Sequence, residues 1–317
     1  MIISYFKGKS SFKGKSPPNL IGRLAPKWPL CMAFFCVIVW GISYAVTRSA
    51  VQQIMPFTLA CLRFYLAAAL LWGIMRKLNL KLQKSDYGSF LAVTFIGTTL
   101  YFTCENLGLK LTTASHGSLI IATIPLGTEL VLAWRKRCRP PLKIWLGTIM
   151  ALSGTALLIG RSTGGASVLG DLLMFGAVAC WIVYTFQVDN LARRYPPLLI
   201  TFWMMLMGAI SFTPGAILEW LLKPQPWPDF WAWWQVLFLG VVCSALAYDF
   251  WNRAVSTLGP TVSNTLLYFI PLFGVLSGIL FLNEPITAEL FWGGGLIFGG
   301  VFLIHFRAFS TNRNNRR

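Results

Sequence analysis

The chain has 317 residues, of which 56% are hydrophobic and 12% charged, and its mean hydropathy is +0.64. Soluble domains carry charge on roughly a quarter of their residues, so this chain lacks the polar surface to coat a globule of its size. Its apolar runs are continuous rather than alternating, which excludes a β-barrel, and the placement of its +17 net charge argues against nucleic acid as a partner.

Residues 1–27 are basic and lack the apolar core of a signal peptide, so they read as a cytosolic tail that leaves targeting to the first span. Runs long enough to cross a bilayer, roughly 20 residues each, follow at 28–47, 55–75, 87–108, 113–134 and 143–160. A second set follows at 169–189, 197–222, 232–254, 261–282 and 290–309. The loops between them are short, and residues 310–317 form a second basic tail. With the N-terminus inside, 22 of the 27 Lys and Arg residues lie on inside segments. Four lie outside (Arg48, Lys110, Arg161, Lys223), and Arg63 alone lies within a span. This positive-inside bias assigns both termini to the cytoplasm, with attraction to anionic lipid as a by-product. The expected protein is an all-α polytopic protein of the bacterial inner membrane, monomeric or homodimeric, with about ten transmembrane helices. Seven scattered cysteines form no metal spacing, so they read as small buried apolar residues and no metal or cofactor is expected.

The ten spans divide into two copies of five. Asn106 precedes Pro125 by nineteen residues, and Asn252 precedes Pro271 at the same spacing. Trp40 precedes Pro56 by sixteen residues, as Trp181 precedes Pro197. Five spans per copy is odd, so the second copy enters the membrane from the opposite side. The loop after the fourth span is basic around Arg137, whereas the loop after the ninth is acidic at Glu284, allowing a gap of one. Two inverted five-helix repeats, 28–160 and 169–309, are expected.

Several motifs carry a resemblance: Ala245-Leu-Ala-Tyr-Asp-Phe-Trp-Asn252, then Leu-Gly-Pro, Ile-Pro271-Leu, Phe-Leu-Asn-Glu284-Pro and Trp292-Gly-Gly-Gly. The first copy matches through Trp40-Gly, Pro56, Arg63, Asn106-Leu-Gly-Leu, Pro125 and Trp145-Leu-Gly. The sequence resembles the EamA domain, the repeated unit of the drug/metabolite transporter superfamily, over about residues 28–309. The resemblance implies ten helices and small-molecule transport, often export, through a cavity lined by spans one to four and six to nine. Arg137 departs from the acid usual at that point in the first copy.

Trp40, Ser43, Tyr44 and Thr47 fall on one helical face, and Trp181, Tyr184, Thr185 and Val188 repeat it 141 residues later. Such stripes avoid lipid because their polar groups need partners there, either across a cavity or as interhelical contacts. Arg63, Asn106, Asn252, Asn264 and Tyr268 complete the expected substrate-cavity set with Trp40, Ser43, Tyr44, Trp181 and Tyr184. Among the acids within spans, Glu105 sits near the outer end of span three, one turn from Lys110, and reads as an ion pair or a rim group. Asp249 precedes Arg253 by four residues and reads as an intrahelical pair. Glu105 and Asp249 are also the candidates for proton coupling, and Glu129 reads as paired near the basic loop. His116 lies at a span end, Pro125 and Pro271 are expected to kink their spans, and Trp220, Trp227, Trp231, Trp233 and Trp234 read as an interfacial belt.

With two histidines, short loops and no catalytic motif, the chain does not read as an enzyme. The expected function is transport, by alternating access, of a small metabolite such as an amino acid, with export favoured. Proton-coupled efflux of lipophilic drugs or cations is the alternative, and a non-transport membrane assembly protein is the reading from another class.

Overall fold

The computed structural model describes residues 27–78, 80, 82–135, 137, 142–160, 166–223 and 228–305. The tails, most of the 136–141 loop and Trp227 lie outside the described residues. Ten helical stretches follow in order. They are α1 (Lys27–Gln53), α2 (Pro56–Leu78), α3 (Lys84–Leu111), α4 (Ala114–Arg135), α5 (Leu142–Gly160), α6 (Val168–Ala192), α7 (Pro197–Leu222), α8 (Phe230–Leu258), α9 (Pro260–Leu266, resuming as Ile270–Leu282) and α10 (Ala288–His305). Among the described residues, eight helices are long and apolar enough to cross a membrane. The other two, α5 and α10, have 19 and 18 residues.

The helix starts follow from local chemistry. α2 and α7 begin with Pro56 and Pro197, whose missing N–H would be unbonded at that position anyway. Thr113, Ser167 and Asp229 cap α4, α6 and α8 by accepting from His116 N, Gly170 N and Ala232 N. The prolines expected to kink spans four and nine instead restart them. α4 breaks at Ala122 and Thr123, and Pro125 becomes the second residue of the segment Ile124–Arg135. α9 tightens into a 3₁₀ turn at Leu267–Phe269, and Pro271 becomes the second residue of the next segment. A proline there removes no bond, which is why the chain breaks ahead of it rather than bending at it.

These irregularities recur in register. The α9 break lies 146 residues after the α4 break. Just beyond the segments that follow stand Arg137 and Asn283, again 146 apart, and both residues have φ of 51°. Each third helix of a set contains a π-helical stretch, Phe95–Leu100 in α3 and Phe238–Leu246 in α8. Asn106 Nδ2 donates to the Pro56 carbonyl at 3.0 Å, tying α3 to the start of α2. Its counterpart Asn252 donates at 2.9 Å to Thr201 Oγ1, which donates at 3.0 Å to the Pro197 carbonyl. The same tie is made in the second set with one hydroxyl interposed.

α1 packs against α3, α4, α8 and α9, and α6 contacts the same four helices from the other side. α2 and α7 pair along one flank and α5 and α10 along the other. The second pair is close because a Cβ at Gly154 would lie 2.5 Å from the Gly293 carbonyl oxygen, an approach that only glycine permits. Large apolar side chains on this outer flank, such as Trp145, Leu152, Phe291 and Trp292, are half or more exposed. In water such a surface marks a defect, whereas in lipid it is the expected one.

Candidate functional site

A cavity lies where α1, α2, α3, α4, α6, α8 and α9 converge. It is lined by Trp40, Ser43, Tyr44, Arg63, Tyr101, Phe102, Glu105, Ile121, Ile124, Trp181, Tyr248, Leu267 and Ile270. About 20 Å³ of it is open to water centres, room for about one water. The site is closed as it stands. The wall breaks where α4 and α9 break, since Ile121, Ile124, Leu267 and Ile270 flank those interruptions.

The aromatic wall is built from the two stripes. Trp40 and Trp181 meet edge to face with centroids 5.4 Å apart, and Trp40 also packs on Tyr248 and Trp251 at 5.3 and 5.2 Å. Trp40 Nε1 donates to the Cys243 carbonyl at 3.1 Å, an acceptor within the π stretch of α8. Among the described residues the indole N–H of Trp181 finds no acceptor, although the residue is 3% exposed. Buried donors are ordinarily satisfied, and the indole N–H groups of Trp203 and Trp251 share this state among the described residues.

Arg63 and Glu105 are the charged groups of the lining. Arg63 is 2% exposed, and Nε donates to Ser244 Oγ at 3.0 Å. Ser244 Oγ in turn donates to the Leu239 carbonyl at 2.8 Å, five residues back in the π stretch. The guanidinium lies over Phe102, 4.6 Å from its centroid, and over Phe64 at 5.4 Å, an arrangement that compensates a desolvated cation. Among the described residues no carboxylate reaches ion-pair distance of Arg63. Glu105 faces the same cavity, is 6% exposed, and accepts from Tyr101 Oη at 3.0 Å.

The expected cavity set divides. Trp40, Ser43, Tyr44, Arg63 and Trp181 line the cavity. Tyr184, Asn106, Asn252, Asn264 and Tyr268 do not line it, and their contacts run between helices. Tyr184 Oη donates to Asn252 Oδ1 at 3.0 Å, Asn106 and Asn252 tie helices as above, and Asn264 Nδ2 reaches Thr128 Oγ1 at 3.3 Å. Tyr268 sits in a separate cluster with Leu126 and Ala151. Glu105, read from sequence as a rim group beside Lys110, instead points to the cavity, because the π stretch resets the helical phase beneath it. Asp249 makes the expected pair with Arg253, at 2.7 Å through Nε and 3.2 Å through Nη2, and stands outside the cavity.

Tyr101 and Tyr248 were missed as lining residues, and the Tyr101–Glu105 spacing of four was the available signal. Asp171 was also missed. At the first turn of α6 it is wholly buried, accepting from Thr112 Oγ1 at 2.5 Å and lying 3.2 Å from His116 Nδ1. This cluster joins a polar network at one end of the bundle. Glu284, just beyond α9, accepts from Ala114 N, Ser115 N and Ser115 Oγ at 2.7, 3.0 and 2.5 Å, capping α4. Arg48 near the end of α1 lies 3.8 Å from Glu284 and donates to the Leu109 and Thr112 carbonyls at the end of α3. At the opposite end, Asp86 accepts from Arg194 at 2.9 Å and from Tyr195 Oη.

An EamA-like transporter family match covers residues 27–160 and again 168–306. The chain belongs to the EamA-like transporter family. Two copies of the family domain thus account for nearly all of it, and it is an integral membrane protein. Among its relatives, an uncharacterized transporter of Archaeoglobus fulgidus is 27% identical over 84% of this chain and 93% of that protein. The uncharacterized transporter YetK of Bacillus subtilis is 25% identical over 83% of this chain and 82% of its own. A protein named probable amino-acid metabolite efflux pump, of Escherichia coli, is 24% identical over 86% of this chain and 93% of that protein. One solved crystal structure shares the fold at a TM-score of 0.62 with 21% identity, covering 89% of this chain and 98% of that one.

Proposed function

We propose that this EamA-family protein exports a small amphipathic metabolite carrying a carboxylate, an amino acid or a close relative, by alternating access between two inverted five-helix repeats. The observation that carries the substrate class is Arg63. It is a buried cation among aromatic rings, bonded within the protein through Nε alone among the described residues, with its terminal nitrogens free to hold a carboxylate in a bidentate pair. Trp40, Trp181 and Tyr248 offer ring faces and edges to an apolar side chain, and Glu105 offers an acceptor to an ammonium. The breaks in α4 and α9 beside the cavity supply the points about which each repeat opens. The Escherichia coli relative named as an amino-acid metabolite efflux pump agrees with this class.

The distribution of basic residues supports an orientation with both termini in the cytoplasm of a bacterial inner membrane. The Glu284 end then faces outward and the Arg194 end inward. Counterflow in proteoliposomes against a panel of amino acids tests the reading. At least one zwitterion is expected to exchange, and Arg63→Gln to abolish that exchange. Exchange of the zwitterion untouched by Arg63→Gln would overturn the assigned role.

A second reading, proton-coupled efflux of a lipophilic cation, draws on Glu105, a buried carboxylate in the same aromatic cavity. It predicts export of hydrophobic amines that Glu105→Gln eliminates and Arg63→Gln spares.

A further inference from the structure

The network at the Glu284 end has a counterpart at the other end with its charges exchanged. Arg48 on α1 corresponds, 141 residues on, to Asp189 on α6. Glu284 after α9 corresponds to Cys138 after α4, and the neighbours of Cys138 are Arg137 and Arg139. An arginine on the first helix of one set and a carboxylate beyond its fourth-helix counterpart become a carboxylate and a basic loop in the other. The positive-inside bias accounts for the basic loop, but an arginine at the outer end of α1 and an aspartate at the inner end of α6 run against it. A pair that must attract at each end accounts for both.

Among the described residues only one of these pairs is made. Arg48 and Glu284 stand 3.8 Å apart and are 19% and 8% exposed. Asp189 instead holds Arg193 on its own helix, at 3.1 Å, and the two side chains are 25% and 74% exposed. A solvated pair four residues apart is weakly held and easily exchanged. Arg137 is exposed, with the left-handed φ of 51° that turns the chain just beyond α4. The end of α4 lies against α6 here. The Arg135 guanidinium carbon stands 5.1 Å from the ring centroid of Phe186, three residues before Asp189 on α6.

The helix seam between α4 and α9 is unequal in the same sense. At the Glu284 end Gly274 and Gly278 of α9 face Ser118 and Ser115 of α4, and a Cβ at Gly278 would stand 3.0 Å from Ser115 Oγ. Counted back 146 residues, the positions of those glycines are Thr128 and Leu132. Glycine allows the close backbone seam on one side, whereas on the other Thr128 meets α9 through its side chain, 3.3 Å from Asn264 Nδ2.

We propose that Arg48–Glu284 and Asp189–Arg137 are the two gates of the transporter, each made only when the other is broken, and that the structure is the state shut at the Glu284 end. The proposal rests on the alternating-access reading and adds its latch residues.

Crosslinking in native membranes tests it without knowledge of the substrate. In a full chain whose own cysteines are replaced, Arg48→Cys with Glu284→Cys forms one pair and Arg137→Cys with Asp189→Cys the other. Each pair alone is expected to link with a short thiol crosslinker. In the four-cysteine chain, locking the first pair should lower the yield of the second by at least about fivefold, since the two are alternatives. Failure of the second pair to link, or both linking in the same molecule, overturns the proposal.

A second measurement serves if that chain does not accumulate. With a reporter thiol at Ser43→Cys, Glu284→Gln should raise labelling by an impermeant maleimide from outside several-fold, and Asp189→Asn should lower it. Equal changes from both, or none, also overturn it. Exclusive crosslinking without solute exchange would leave the gates standing and remove the transport reading. Exchange without exclusivity would do the reverse.

Discussion

Gly278→Ala converts the geometry at the head of α4 into a number. An alanine Cβ there would lie 2.5 Å from Glu284 Oε2 and 3.0 Å from both Glu284 Cδ and Ser115 Oγ. Ordinary contact begins at 3.4 Å, so the carboxylate must retreat by about 0.9 Å. A carboxylate displaced that far weakens or breaks its bonds of 2.7 and 3.0 Å to Ala114 N and Ser115 N. The side chain itself moves cheaply, so the cost is the lost cap and the lost carboxylate at a helix N-terminus. Each of these contributes about 1 kcal/mol, for a total of ~2 kcal/mol. For a chain of this size that is a fall of about 3 °C in the unfolding midpoint of the purified protein in detergent. Gly295→Ala is the control, because a Cβ there meets nothing within 4 Å. It should be neutral or raise the midpoint slightly, since alanine favours a helix by ~0.5–1 kcal/mol over glycine. Equal midpoints for the two variants would refute the view that Glu284 anchors α4 through space only glycine leaves.

Three further outcomes follow from the site. Ser244→Ala removes the one side chain that holds Arg63 Nε; loss of a hydrogen bond to a charged group costs about 1.5–3 kcal/mol, so the half-saturation concentration for a carboxylate substrate should rise roughly tenfold or more in counterflow. Asn252→Leu leaves Tyr184 Oη and Thr201 without their shared partner, and should destabilise the detergent-purified protein by about 1–3 kcal/mol, whereas Asn264→Leu, whose single contact is 3.3 Å long, should cost less in the same thermal assay. Trp181→Phe keeps the aromatic packing on Trp40 and deletes an N–H that has no acceptor among the described residues; stability should hold within about 1 kcal/mol, and a loss of substrate affinity in counterflow would mark that N–H as a substrate contact.

Helix placement was legible because apolar run length and the bilayer fix it, and the stripes from Trp40 and Trp181 were legible because both helices are regular across them. Inward-facing residues on α3 were not, since Glu105 follows a π stretch that no residue type announces, and the phase of the helix shifts there. The asparagines carried a true repeat signal. A buried amide in an apolar helix needs a partner, and Asn106 and Asn252 each find one near the start of the preceding helix. Asp171 stands two residues inside the expected span 169–189, where an acid near a membrane edge is ordinarily solvated, yet it is wholly buried beside Thr112 and His116.

The two repeats share their breaks, turns and helix ties. The charge of the cavity departs from that symmetry. Arg63 corresponds to Met204 in the second set, and Glu105 to Trp251. Both charged lining groups therefore come from the first repeat, while the second supplies apolar bulk at the same positions. Ser244 is the exception that joins them, since its counterpart Thr98 is buried without a partner among the described residues. The second repeat thus turns a hydroxyl that the first leaves idle into the support of the first repeat's arginine. If the repeats rock against each other, that bond spans the moving boundary between α2 and α8. The orientation of Arg63 is then set by the conformational state, and binding and opening become coupled through a single hydrogen bond.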